Sequence, residues 1–379
     1  MRTSTNRILT THTGSLPRPP FLANAMVEKE TEKEIELSED QLRELVTEAV
    51  DDVVGRQVDL GLDIVSDGEM SKIGYSTYVK ERLTGFDGEA GALELADLAD
   101  YPELLARSLN GLVTTTPACT GPISYNGQVQ LQHDLDAFTA ALQAHHVPDA
   151  FIPAASPGVI AIFLANQYYE SQQDYLAALA DAMAVEYRAI VDAGFILQID
   201  CPDLAMGRHI GVAPKRVDDF IAEIELNVVM LNRALEGIDP TRVRVHLCWG
   251  NYEAPHHHDI DLVDILPTVL KIQAQGIVLE ASNPRHSHEW RVFEKIRLPE
   301  DKVLIVGVID TSSNYIEHPA VVAERITRYA SVVGRERVIA ATDCGFATFA
   351  SFLPVEPRIA WAKLASLTEG ARLASHQLW

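Results

Sequence analysis

Short apolar runs rich in Val, Ile and Leu recur along the chain, at residues 8–12, 62–66, 111–119, 150–154, 195–200, 243–248, 277–280, 303–309 and 337–342. Runs with few alternating polar positions suit strands that are buried on both faces. Between most of them lie segments with apolar residues at helical spacing: 39–60, 174–193, 217–235, 262–275 and 319–333. Ser38, followed by Glu39, Asp40 and Gln41, has the form of a capping box, and Gly194 and Gly276 sit where the preceding helices are expected to end. Strand alternating with helix over a full chain predicts a parallel α/β fold with crossover helices.

A barrel of eight βα units takes about 250 residues and tolerates long insertions, so a chain of 379 residues accommodates one barrel as a single domain, 1–379. The pattern supplies nine candidate strands, one too many. The weakest is 150–154, which contains Pro153 and is flanked by Pro148, Pro157 and Gly158. It reads as part of an insertion at about 125–169, placed after the third strand, 111–119. The predicted fold is therefore an α/β (β/α)8 TIM barrel with an excursion after strand 3.

Composition narrows the function classes. Lys and Arg number 31 against 54 Asp and Glu, a formal charge of −23 with no basic run, which argues against nucleic-acid partners and anionic membrane surfaces. Four scattered cysteines do not make a disulfide framework and fit a reducing compartment. The first residues carry no apolar stretch suited to a secretory signal, and no window approaches the ~20 apolar residues of a membrane span. A cytoplasmic, soluble protein is expected. Neither a Walker loop nor a Gly-rich dinucleotide fingerprint is present.

In a barrel, chemistry sits at the C-terminal ends of the strands. His246 and Cys248 end the run 243–248, Glu280 ends 277–280, and Cys344 follows 337–342. An H-x-C pair on one strand points to one side, and two ligands from neighbouring strands complete an N, S, O, S set suited to Zn2+. Each cysteine alone is more simply an inert buried thiol. Their joint position on one rim is what favours a metal. Cys201 and Cys119 read as packing residues.

The motifs THTGSLPRP (11–19), DGE (67–69), TGP (120–122), QIDCPDLA (198–205), HLC (246–248), LEAS (279–282) and DCG (343–345) occur in an order that resembles the catalytic domain of cobalamin-independent methionine synthases, across nearly the whole chain. The resemblance implies a barrel of the uroporphyrinogen decarboxylase and methionine synthase type, with zinc on His246, Cys248, Glu280 and Cys344. It also implies a homocysteine pocket made by Thr13, Gly14, Ser15, Glu69 and Asp200. Zinc would hold the acceptor sulfur as thiolate, the nucleophilic form.

Two positions depart from the family pattern. Gln128 stands where a pterin-stacking tryptophan is expected, and Ser312 stands at a proton-donating histidine position. Both losses fall on the folate side, which implies a methyl donor other than a folate polyglutamate, such as a methylated corrinoid protein. The chain is also similar to the shorter branch of this superfamily that includes epoxyalkane:coenzyme M transferase, in which a thiolate opens an epoxide. That chemistry needs a proton donor and a cation for the sulfonate. The loops after the ligand strands offer His256, His257 and His258, and Arg285, His286 and His288. His256, His257 and His286 are the candidate catalytic groups, and Arg285 the candidate substrate contact. Thiol alkylation of the methionine synthase kind is the leading expectation. Epoxide opening, a uroporphyrinogen-type decarboxylase and a non-catalytic zinc or thiol binder remain as alternatives.

Overall fold

The computed structural model describes residues 1–31, 37–88, 90–91, 93–108 and 116–379. Eight parallel strands form its centre: β1 (Leu9–Thr10), β2 (Val65–Ser66), β3 (Ala150–Ala155), β4 (Ile196–Asp200), β5 (Val243–His246), β6 (Gly276–Glu280), β7 (Val303–Ile309) and β8 (Val338–Thr342). They are hydrogen-bonded in the order β1, β8, β7, β6, β5, β4, β3, β2. The sheet curls until its ends meet, where the Thr10 carbonyl accepts the N–H groups of Asp63 and Ile64. The result is a barrel-like sheet with a rim of strand ends on one side, the side used for chemistry in such folds.

Helices Glu39–Asp59, Gln128–His145, Gln172–Asp192, Val217–Ala234, Leu262–Val269 and Pro319–Val333 cross back outside the strands, and Pro357–Leu378 closes the ring. Ser38 makes the expected capping box with Gln41. Leu9, Ile64, Phe151, Ile196, Val278, Ile305 and Ile339 fill the barrel interior. The guanidinium of the fully buried Arg244 lies 3.5 Å over the Phe151 ring among them.

Three expectations require correction. The third stave is Ala150–Ala155, not 111–119. Residues 111–115 lie outside the described residues, and Ala118–Cys119 pairs antiparallel with Phe86–Asp87 in a separate two-stranded ribbon. The long excursion accordingly precedes the third stave, between β2 and β3, while 125–169 holds an outer helix, a stave and the short helix Pro157–Phe163.

The prolines that disguised β3 each have a place. β2 pairs with β3 only at Ala150 and Phe151. At Pro153 no strand neighbour among the described residues lies on that side to require an N–H, and its carbonyl instead accepts from Lys72 Nζ at 2.6 Å. Ser156 caps Pro157–Phe163 through the Val159 N–H, with Pro157 in the first turn.

Gly276, expected to end a helix, opens β6. A Cβ there would lie 2.6 Å from Arg244 Cβ, so the interior arginine is what demands glycine. The preceding helix is correspondingly short, Leu262–Val269. Gly194 does follow its helix, at φ 94°.

Candidate active site

His246 ends β5, Cys248 lies two residues beyond it, and Cys344 lies two residues beyond β8. Their ligand atoms lie within 4.8 Å of one another, all buried, with the two sulfurs 3.9 Å apart. Contact with Cys344 and burial push the Cys248 thiol well above the ordinary range. Holding both sulfurs as thiolates therefore calls for a cation between them. The surroundings fit zinc. Asp200 at the end of β4 accepts from His246 Nδ1 at 3.1 Å, the carboxylate–histidine pairing that orients metal-binding rings, while Nε2 lies 3.3 Å from the Asp343 carbonyl, a contact it would give up to a metal. The Gly250 N–H points at Cys248 Sγ at 3.3 Å.

Glu280 reaches the same rim but not the same cluster. Its carboxylate accepts the Trp249 N–H at 2.9 Å and lies 3.3 Å from Asn283 Nδ2. It thereby braces the turn that carries Cys248. The grouping among the described residues is His–Cys–Cys, with the acid beside it.

A cavity of about 1360 Å3 opens above these groups and is lined by Thr13, Ser15, Glu69, Asp200, His246, Cys248 and Cys344 along with many apolar side chains. Glu69 adopts φ 58°, a left-handed conformation costly for a side-chain-bearing residue. Arg18 holds it there by donating to the Glu69 and Lys72 carbonyls. Gly14 makes room for it, since a Cβ at position 14 would lie 2.6 Å from Glu69 Oε1. Glu69 Oε2 is buried without a hydrogen-bond partner, and burial raises the carboxyl to about 7. A buried acceptor left unpaired at a cavity wall calls for a donor from within that cavity.

Asp200 is anchored from beneath. Gln198 Nε2 donates to Asp200 Oδ1 at 2.8 Å, and Arg244 Nε donates to Gln198 Oε1 at 2.8 Å. Asp343, in the DCG motif, accepts the N–H groups of Ala281, Ser282 and Asn283, tying β8's end to β6's. Next to Cys344, Gly345 packs so closely that a Cβ would lie 2.1 Å from Ser15 Oγ.

The loop histidines and Arg285 are not among the cavity's described lining residues. His256 sets Nδ1 against Asp259 and Nε2 against the Tyr252 carbonyl, while His286 sets its nitrogens against Glu289 and Asp259. With acceptors at both nitrogens, each ring is a buried imidazolium. Despite burial, hydrogen bonds to Asp259 raise His256 to about 9 and, together with Glu289, raise His286 to about 10. His257 and His258 share Asp100 at the surface, and Arg285 is exposed. Spacing along the chain placed these loops after ligand strands but carried no information on which way they turn.

Gln128 is exposed at the start of its helix, whereas Ser312 lines the cavity. No tryptophan is among the described lining residues. Tyr75 is a lining residue that the motifs did not single out. Burial, with Cys248, Cys344 and Asp200 nearby, keeps its phenol protonated. Its only signal in the sequence is its position six residues after Glu69. No helix is long and apolar enough to cross a membrane among the described residues.

Comparison with known proteins is consistent with this arrangement. Residues 130–353 match the family described as "Cobalamin-independent synthase, Catalytic domain". The chain is 26% identical over 373 residues to a methionine synthase of Saccharolobus solfataricus, covering 97% of this chain and 95% of that protein. It is 25% identical over 371 residues to one from Sulfolobus acidocaldarius, at 97% and 93% coverage. Among solved structures, a B12-independent methionine synthase from Shewanella sp. W3-18-1 in complex with selenomethionine superposes with a TM-score of 0.75 at 22% identity, covering 98% of this chain and 99% of that one.

Proposed function

Since the chain belongs to the cobalamin-independent methionine synthase catalytic-domain family, we propose that it methylates the thiol of homocysteine, bound in the cavity above His246, Cys248 and Cys344. The carrying observation is the buried His–Cys–Cys group in one cavity with the orphaned Glu69 carboxylate. Zinc bound there would lower the pKa of the acceptor thiol and present it as a thiolate.

The chain's own residues supply the rest. Asp200, steadied by Gln198, orients the His246 ring through Nδ1, and Nε2, which lies 3.3 Å from the Asp343 carbonyl, is the nitrogen a metal would take. Glu69 receives the substrate ammonium, and Gly14 leaves space for that carboxylate. Tyr75, kept protonated, offers a hydrogen bond beside the sulfurs. Apolar lining such as Phe163 and Phe349 excludes water, which protects a thiolate from protonation. The acceptor sulfur loses its proton and gains the methyl group as the donor's bond to that group breaks. Glu280, braced on Trp249 through Oε1, would offer a metal its other oxygen, Oε2, which lies 3.3 Å from Asn283 Nδ2.

The donor is a methyl compound other than a folate polyglutamate, or a methylated corrinoid protein. Acids line the cavity, including Glu30, Glu94 and Glu253, and the only lysine or arginine among its described lining residues, Lys80, is paired with Glu30. A polyanionic tail is disfavoured there. The same balance offers nothing for a sulfonate, which removes support for the coenzyme M reading.

The test offers zinc-loaded protein homocysteine with methylcobalamin, and separately with methyltetrahydrofolate polyglutamate. Methionine is expected from the first only. Methionine from the polyglutamate would overturn the donor assignment, and an inert protein with every methyl donor would overturn the activity.

A further inference from the structure

We infer that Asp100, His257 and His258 form a second divalent-metal site, separate from the cysteine centre. The ligand atoms of these residues lie within 4.8 Å of one another. His257 Nε2 and His258 Nε2 approach the same atom, Asp100 Oδ2, at 2.9 and 2.8 Å, with the two rings 4.0 Å apart. Consecutive side chains ordinarily diverge, and a convergence of two imidazoles on one carboxylate oxygen needs a cause in the backbone. It lies in His256, which sits at φ 52° and is clamped from below by Asp259 and the Tyr252 carbonyl. The strained residue is buried and held on both nitrogens, so the turn that presents His257 and His258 is preorganised.

Two neutral imidazoles and a carboxylate suit Zn2+, Co2+ or Ni2+, whereas Mg2+ and Ca2+ prefer oxygen alone. The partial exposure of all three side chains leaves room for water to complete the coordination. Asp100 directly follows the helix Ala96–Ala99, whose Leu98 and Ala99 line the cavity, while His257 and His258 follow Tyr252 and Glu253, which line it from the β5 loop. An ion at this point pins one cavity wall to the other from outside. This inference does not depend on the acceptor or the donor proposed above.

The test uses untagged, metal-free full-length protein titrated with Co2+, following both bound metal and the thiolate-to-cobalt absorbance that only the cysteine centre produces. A second equivalent is expected that adds no thiolate band. It should be lost in His257→Ala/His258→Ala, which keeps the band, and retained in Cys248→Ser/Cys344→Ser, which loses it. Hydrogen exchange over 95–100 should slow on binding that equivalent. A wild-type protein that takes up only the band-forming equivalent, or a second equivalent that survives in the histidine double variant or disappears in the cysteine one, would overturn the site.

Discussion

At the scale of single residues, three side chains are asked to do different work with similar chemistry. Glu69 has a buried carboxylate oxygen without a hydrogen-bond partner, Asp200 is committed to His246, and Glu280 is committed to a backbone N–H. Glu69→Gln removes a charge-assisted contact worth about 1.5–3 kcal/mol, so the KM for homocysteine should rise roughly tenfold to a hundredfold while zinc content holds. A KM that stays put with kcat falling would move Glu69 away from the ammonium. Asp200→Ala removes the partner that orients a metal-binding histidine, and zinc affinity should fall about 10–100-fold, measured by competition with a chromogenic chelator. Unchanged affinity would leave Asp200 without that positioning role.

At the scale of elements, legibility followed how directly a residue's role depends on its place in a strand. His246, Cys248 and Cys344 were readable because strand C-terminal ends converge on one rim whatever the detailed packing. β3 was hidden because Pro153 looks like a breaker, and only the shortness of β2, which no local pattern reveals, makes it harmless. Gly276 was mistaken for a helix end because its true constraint, Arg244 on the neighbouring strand, lies far away in sequence. The loop histidines were misplaced for a different reason. Their partners Asp259 and Glu289 are near in sequence, but burial decides that they form a strut and not an acid catalyst.

That strut carries a pH signature. His256 and His286 are raised from 6.5 to about 9 and about 10, so their stabilisation is complete below 6.5 and is lost as pH climbs through those values. Asp259 is held at about 2, chiefly by hydrogen bonds from the two histidines against the cost of burial; its contribution is present above 3.8 and is lost as pH falls toward 2. Wild-type Tm should therefore decline between pH 6.5 and 10 more steeply than that of Asp259→Asn. The variant should be less stable by about 3–5 kcal/mol near pH 6.5, the usual cost of opening a buried ion pair. Parallel Tm profiles for the two proteins would contradict the protonation assigned to these rings.

At the scale of the whole molecule, the −23 charge is put to local use. Among the described lining residues, acids and a single ion-paired lysine give the cavity a negative balance, which opposes polyanions. The barrel gathers distant parts of the chain onto one floor, with residues near 13, 69, 200, 246 and 344 sharing one cavity. The account stands on that floor. Its most direct test is zinc-edge X-ray absorption on the purified protein with and without homocysteine. One histidine nitrogen and the two cysteine sulfurs are expected in the zinc shell, with a further sulfur appearing when homocysteine is added. A shell without both cysteine sulfurs, or one that homocysteine leaves unchanged while methionine is being formed, would contradict it.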